Sequence, residues 1–355
     1  MERKYSASVV GVGMGGRLSM KALQASSRFR LVAVADTRPA ALEQAARDFP
    51  GVKCYPSHRA MFKDCPTDVT CIATYPPTHL PITRNAVRML PLKGILVEKP
   101  LGDTAKAGRE IIRLVRQYGL PMAVPHNLLT LPHTQEILRR VHAGEIGRLE
   151  LMEVQCDKWD AMNAGIHWMN FFVTLTRNEP IAFVLAGLDA TTRTYRDGMQ
   201  VETEAISYVV TQSGVRAVMQ TGDYVRTVRE GQSLFFRLVG TGGLIEFPGW
   251  ERSYTLLNRE FPEGRRFDQF PPGVVGHQRH LEWLAGQMDT GQPDYTIPES
   301  SLLALEICEA IYISARTRQK VIFPLETFKP RRVPQWDPGR PYSGRGGGRD
   351  GRNLA

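Results

Sequence analysis

Cysteine is scarce in this chain and scattered through it. The 355 residues hold five, Cys54, Cys65, Cys71, Cys156 and Cys308. The number is odd and no two form a C-x-x-C pair, so neither a disulfide framework nor a metal site is expected, and a reduced, cytoplasmic setting is. Long apolar runs are also lacking. No stretch reaches the roughly eighteen apolar residues of a membrane span, and residues 1–5 are charged and lead straight into a short apolar run, so no secretory signal is read there. There is no internal repeat. Acidic residues are in the minority, with 36 Asp and Glu against 45 Lys and Arg and a formal net charge of +9. Much of that excess lies in residues 331–355, where six arginines oppose two aspartates. The remaining body is mildly basic, which gives no nucleic-acid footprint and suits a protein that holds an anionic dinucleotide. Residues 329–355 are rich in Pro, Gly and Arg and poor in apolar side chains, the composition of a disordered end.

What the chain does have is a glycine turn near its start. Residues 9–19 read V-V-G-V-G-M-G-G-R-L-S, with Gly11, Gly13 and Gly16 in G-x-G-x-x-G spacing. Residues 7–12 form a strand-like run and residues 17–25 a helix-compatible one. A strand, a tight turn and a helix N-terminus make an anion site that suits a pyrophosphate. Gly11 permits the turn, Gly13 lets the backbone approach phosphate, and Gly16 lets helix and strand pack closely. A second strand-like run, 31–35, ends at Asp36, twenty residues past Gly16. A carboxylate there accepts hydrogen bonds from the adenosine ribose of NAD. Arg38 follows two residues on, placed to stack on adenine or to pair with the 2′-phosphate of NADP. Because Asp36 repels that phosphate, NAD is the expected cofactor, with NADP as the alternative.

Length and texture predict an α/β chain of two domains. Over residues 1–125 apolar runs at 7–12, 31–35, 69–73, 94–97 and 121–124 alternate with helical stretches such as 40–48 and 103–118. That alternation predicts a doubly wound parallel sheet. From residue 149 long β-rich runs follow one another, at 149–155, 181–195, 203–211, 215–221, 234–239 and 244–247. Turn signals at Asp197-Gly198, Ser213-Gly214 and Gly242-Gly243 separate several of them. The second domain, 126–328, is therefore expected to hold a large, mainly antiparallel open sheet for substrate binding and self-association. A helix is expected at 298–318, packing back on the first domain.

Two further motifs carry chemistry. The polar, proline-containing turn A-T-Y-P-P-T-H at 73–79 follows the third parallel run, where open α/β sheets bind ligands. Thr74, Pro76 and His79 are its candidate cofactor contacts. Glu98-Lys99-Pro100 follows the fourth run at the same edge. A lysine there would have its pKa lowered by desolvation and a nearby cationic nicotinamide, and would accept a proton from a substrate hydroxyl as hydride leaves the adjacent carbon. A surface lysine paired with Glu98 is the plainer alternative.

Taken together, G-V-G-M-G-G at 11–16, A-T-Y-P-P-T-H at 73–79 and E-K-P-L at 98–101 resemble the Gfo/Idh/MocA oxidoreductases. The likeness continues with G-E-I-G-R-L at 144–149, G-I-H at 165–167 and the helix at 298–318. It implies an N-terminal Rossmann domain followed by an α/β domain with a large open sheet. It also implies a nicotinamide cofactor held by Gly11, Gly13, Met14, Gly15, Gly16, Asp36, Arg38, Thr74, Pro76, His79, Glu98 and Lys99, and a sugar, cyclic polyol or sugar derivative as substrate. The family pattern D-x-G-x-H-x-x-D is matched at Gly165 and His167, but Asn163 and Asn170 stand in its acidic positions. An asparagine can hydrogen-bond a hydroxyl but cannot take a proton, so acid–base work is expected of Lys99 and His167. The family's Asn-Arg-Arg-Phe type of stretch is departed from at 125–132, where no arginine follows Asn127; His126 and Asn127, with Asn163 and His167, are the candidate substrate contacts.

The expected activity is hydride transfer between nicotinamide and a hydroxyl or keto carbon. Two other readings fit the same resemblance. One is transient oxidation by bound NAD followed by elimination at a glycosidic bond. The other is a dinucleotide-binding sensor that no longer catalyses.

Overall fold

The computed structural model describes residues 4–227, 231–329 and 340–341. These fall into two units, the first drawn from Met1–Asn127 with Val274–Leu302, the second from Leu128–Gly273 with Leu303–Ala355. Apart from Lys329, Arg340 and Pro341, the expected tail lies outside the described residues.

The first unit is built on six strands: β1 (Tyr5–Val10), β2 (Phe29–Ala35), β3 (Lys53–Tyr55), β4 (Val69–Ile72), β5 (Gly94–Val97) and β6 (Met122–Ala123). They pair in the order β3-β2-β1-β4-β5-β6, all parallel. β4 and β5 are buried at every position, as strands covered by helices on both faces must be. Between the strands run α1 (Met14–Ala25), α2 (Pro39–Asp48), α3 (His58–Asp64), α4 (His79–Met89) and α5 (Ala105–Gln117). The strand order reverses between β1 and β4, and a doubly wound sheet binds its ligand at the carboxyl ends of the strands at that point. The glycine turn after β1, Asp36 after β2, the 73–79 turn after β4 and Glu98-Lys99 after β5 all lie at that edge.

Residues 274–302 were expected in the second domain, and the structure corrects this. Helix α8 (Gly276–Thr290) places Leu281, Leu284 and Ala285 in one core with Ala7, Val9, Leu23, Val69 and Leu96. Each buried leucine contributes about 1.5–3 kcal/mol, which ties the late helix to the early sheet. Helix α9 (Thr296–Thr317) starts in the first unit and continues into the second.

The second unit is carried by a nine-stranded sheet. Its elements in chain order are α6 (Pro132–His142), β7 (Leu149–Asp157), α7 (Ile166–Leu175), β8 (Ile181–Asp189), the short strands β9 (Thr192–Arg193), β10 (Tyr195–Arg196) and β11 (Met199–Gln200), then β12 (Glu204–Thr211), β13 (Arg216–Gly222), β14 (Leu234–Gly240), β15 (Gly243–Phe247), β16 (Tyr254–Asn258), β17 (Arg265–Phe267), β18 (Val321–Ile322) and β19 (Arg340–Pro341). The order is β17-β16-β15-β14-β7-β13-β12-β8-β18, with β7 and β13 parallel and the other pairs antiparallel. Alternate residues of β12 and β13 are buried, so the sheet has one covered and one more open face. The run expected to continue over 181–195 breaks after Asp189, whose Oδ1 accepts both the backbone N–H and the hydroxyl of Thr191. No helix among the described residues is long and apolar enough to cross a membrane.

Candidate functional site

In the first unit the three spaced glycines answer to different constraints. Gly11 has φ +89°, and a Cβ there would lie 2.5 Å from the Ala73 carbonyl oxygen. A Cβ on Gly16 would lie 1.8 Å from the Gly11 oxygen, so only glycine lets α1 begin so close to β1. At Gly13 the nearest atom to a Cβ would be an Arg38 nitrogen at 3.9 Å. The protein's own packing does not require glycine at 13. Open space over a backbone at a helix N-terminus is what a pyrophosphate needs, so the turn fits a dinucleotide. Met14 beside it is 81% exposed. A Cβ on Gly15 would meet Glu98 Oε1 at 2.9 Å, which links the turn to the Glu98-Lys99 edge.

Asp36 is fixed from two sides. Its Oδ2 accepts the Val12 N–H at 2.7 Å and its Oδ1 the Arg38 N–H at 2.9 Å. The Arg38 guanidinium lies along both oxygens, Nε to Oδ1 and Nη2 to Oδ2, each at 3.1 Å. Burial acts to raise the Asp36 pKa, but the Arg38 side chain and the two amides hold it below the usual carboxylate range. The carboxylate therefore stays ionised at the end of β2, where a ribose diol would meet it.

Glu98 is buried and does not sit as a surface partner of its neighbour. Its Oε1 meets His277 Nε2 at 2.5 Å and its Oε2 accepts the Lys99 N–H at 3.2 Å. Burial opposes its ionisation, yet His277 and the charge of Lys99 keep the carboxyl below the ordinary glutamate range. Lys99 itself is half-buried at the end of β5, and the Lys99–Pro100 peptide bond is cis.

Two of the expected contact residues lie inside the protein. His79 is wholly buried, with Nε2 2.8 Å from the Thr74 carbonyl and Nδ1 3.3 Å from that of Leu101. It holds the 74–79 turn from inside, while Thr74 stays half-buried and Pro76 is buried beneath the exposed Tyr75. His126, expected at the substrate, is wholly buried too, with Nε2 2.8 Å from Ser301 Oγ and its carbonyl facing His280 Nε2 at 3.2 Å. Burial, followed by the charges of His280 and Lys99, pushes the His126 imidazole well below its usual pKa. Asn127 next to it is half-buried beside Gly276.

In the second unit Asn163 lies in a single π-helical turn, Ala161–Gly165, that runs directly into α7 and His167. Asp160 caps that turn. Asn163 is 2% exposed, His167 9% and Asn170 0%. His167 stands among aromatic rings, 5.9 Å from Trp168 and 6.5 Å from Trp250 between centroids, and Trp250 is exposed. Among the described residues no group of three or more His, Cys, Asp or Glu is placed to hold a metal ion.

Sequence reasoning missed His277, His280 and Ser301, which back the Glu98 edge and His126, and Arg196, Glu202 and Tyr312, which back the π-helical turn. These partners lie 36 to 179 residues from the groups they touch or support, and no local spacing reports such pairing. Asp160 carried a readable signal, an aspartate three residues before Asn163 at a helix start. A groove of about 980 Å³ lined by Leu80, Arg84, Lys106, Arg109, Arg113 and Arg116 among others shares no residue with either set.

Comparison with known proteins agrees with this geometry. Residues 6–126 match the family model described as oxidoreductase family, NAD-binding Rossmann fold. The chain is 25% identical over 260 residues to the rhizopine catabolism protein MocA of Rhizobium meliloti, covering 68% of this chain and 78% of that one. It is 28% identical over 146 residues to the inositol 2-dehydrogenase of the same species, covering 41% and 43% of the two. Among solved structures, an oxidoreductase from Agrobacterium radiobacter in complex with NAD+, L-tartaric acid and magnesium superposes with a TM-score of 0.75 at 16% identity, over 90% of this chain and 98% of that one. The aldose-aldose oxidoreductase from Caulobacter crescentus gives 0.75 at 19% identity over 90% and 100%.

Proposed function

We propose that this chain, whose residues 6–126 belong to the Gfo/Idh/MocA oxidoreductases, is an NAD-dependent dehydrogenase or reductase acting on a hydroxyl-bearing carbon of a sugar, cyclic polyol or sugar derivative. The observation that carries the reading is a single sheet edge. The open backbone at Gly13, the ionised Asp36 and the Glu98-Lys99 pair all stand at the carboxyl ends of β1, β2 and β5. Bound NAD supplies the hydride acceptor. The residues of the chain do the rest. Amides at the start of α1 would hold the NAD pyrophosphate and Asp36 would accept from its ribose. Lys99, as the neutral amine, takes the proton of the reacting hydroxyl, and the buried Glu98 accepts its backbone N–H. In the second unit Asn163 offers hydrogen bonds to substrate hydroxyls, and His167 binds or relays a proton next to Trp168 and Trp250. The two curated relatives, one named for inositol and one for rhizopine catabolism, support a cyclic polyol or its derivative as the substrate class.

A sensor is the second reading, favoured by the amides at Asn163 and Asn170, neither of which can move a proton. Transient oxidation with elimination is separated from both by cofactor exchange. The deciding experiment presents sugars and inositols with NAD and NADP, and their keto forms with NADH and NADPH, and follows the nicotinamide absorbance. Net reduction of added NAD by any member supports the dehydrogenase. Tight dinucleotide binding with no turnover across the panel supports the sensor. Bound cofactor that turns substrate over without exchanging supports elimination.

A further inference from the structure

The chain at the end of β7 makes an abrupt change of direction. Lys158 adopts φ +71°, uncommon for a residue with a side chain, and two residues later Asp160 starts the π-helical turn that leads into His167. Asp160 is 0% exposed. Its Oδ1 accepts the Asn163 N–H at 2.7 Å and the Asn163 Nδ2–H at 3.1 Å, and its carbonyl accepts the N–H of Gly165 at 3.0 Å. Its Oδ2 accepts from Arg196 Nη1, and Arg196 is itself only 3% exposed, with its guanidinium 4.1 Å from the Trp159 ring centroid. Arg196 is delivered by the β10–β11 hairpin, whose Asp197 and Gly198 both have positive φ, 50° and 76°, the backbone of the turn that matches strand twist. Glu202 closes the arrangement. Its Oε1 accepts the Ala161 N–H at 2.7 Å and its Oε2 the Tyr312 hydroxyl, while Cys308 Sγ donates to the Ala161 carbonyl at 3.3 Å.

Most short turns are held by their own backbone. Here the Asp160 and Glu202 carboxylates and the Cys308 thiol bond the turn directly, and the Arg196 guanidinium and Tyr312 phenol hold those carboxylates, all of them buried. Unpaired, each charge would strongly disfavour the fold, and burial together with the Asp160 charge raises the Glu202 pKa to about 7. In a low-dielectric interior such hydrogen bonds are strengthened and favour one local geometry. The carboxylate missing from position 163 relative to the family pattern thus stands one contact behind it, on Asp160.

We propose that Asp160, held by Arg196, is a positioning residue: it fixes the Asn163 amide and the 161–165 turn, and through that turn the His167 imidazole. This rests on the reading of His167 as an active-site residue. A misplacement of about 1 Å can lower turnover about 100-fold, so a rigid mount under a catalytic side chain has a measurable consequence.

The test combines a structure with a double-mutant cycle on the full chain. Where Asp160→Ala fails to fold because Arg196 loses its anion, the double variant Asp160→Ala/Arg196→Met takes its place, since it removes both charges. A crystal structure of the variant should show the 161–165 turn rearranged and Asn163 rotated; an unchanged turn overturns the proposal without any substrate. With the most active compound of the substrate panel, Asp160→Ala should lower kcat by about 10- to 100-fold while NADH affinity, read by fluorescence titration, stays the same. Asp160→Asn keeps the acceptor oxygen and should recover most of the turnover. In a His167→Ala background the same Asp160→Ala change should cost little further, because the side chain it positions is gone. Equal losses in both backgrounds, with His167→Ala itself impaired, overturn the positioning role alone. Normal turnover in His167→Ala overturns both this inference and the place of His167 in the proposed function.

Discussion

Asp36 accepts from four donors, the Val12 amide and three nitrogens of Arg38. Arg38 is thereby committed to the carboxylate, although its side chain is 60% exposed. A ribose diol can share that carboxylate, whereas a 2′-phosphate would have to pull the guanidinium away and lie against a negative charge. NAD should therefore bind more tightly than NADP. Asp36→Ala removes the repulsion and releases Arg38, and should move the preference toward NADP by about tenfold or more; titrations of both dinucleotides read this directly, and an unchanged ratio would show that Asp36 does not discriminate. The buried imidazoles predict a pH effect of definite sign. Burial lowers the pKa of His79, His126 and His280, the last to about 4. Below the ordinary imidazole value of about 6.5 the unfolded chain binds protons the folded one does not. Their contribution is thus fully present above about 6.5 and lost as pH falls toward about 4, with His280 alone corresponding to about 3 kcal/mol. Melting temperature should drop between about pH 7 and about pH 4.5, with a shallower slope in His280→Asn. Identical slopes in the two proteins would contradict neutral burial of His280.

Elements whose pattern is local were legible, and those that depend on distant partners were not. The β1–turn–α1 unit could be read because three glycines, an apolar strand and an aspartate at fixed spacing each follow from a backbone requirement. Gly11 and Gly16 are confined by the protein itself, and Gly13 is not. Gly16→Ala should therefore destabilise the first unit, while Gly13→Ala should leave its melting temperature nearly unchanged and weaken dinucleotide binding. Equal effects of the two changes, by thermal unfolding and NADH titration, would refute this division of roles. Helix α7, I-H-W-M-N-F-F-V-T-L, is buried almost all round and so has no amphipathic period to betray it. Helix α8 mixes His, Gly and Gln with few apolar positions, yet it brings His277 to Glu98 and His280 to the His126 carbonyl. The candidate side chains at Asp36, Lys99, Asn163 and His167 were visible from motif. What holds Glu98 and the Asn163 turn in place was not, because no sequence spacing reports a contact across more than a hundred residues.

At the scale of the whole molecule, the nine-stranded sheet presents an open face. Phe183, Leu185, Ile206, Tyr208 and Ile322 lie on it through the β8, β12 and β18 register, and Leu185, Ile206 and Ile322 are 48%, 52% and 47% exposed. Apolar faces of this kind mark contact surfaces, and two copies can cover each other about a two-fold axis. Light scattering at micromolar concentration should report a dimer or larger assembly, and Ile206→Glu should shift it toward monomer; a monomeric parent protein would contradict the expectation.

The central claim, that the first unit holds NAD beside a lysine that takes the substrate proton, is tested most directly by Lys99→Met. The change keeps the bulk and removes the ammonium group. NADH titration should give an affinity close to that of the parent protein, while turnover of the most active panel compound falls by about 10²–10⁴. Turnover within a few-fold of the parent would contradict the account and show that the proton leaves by another group.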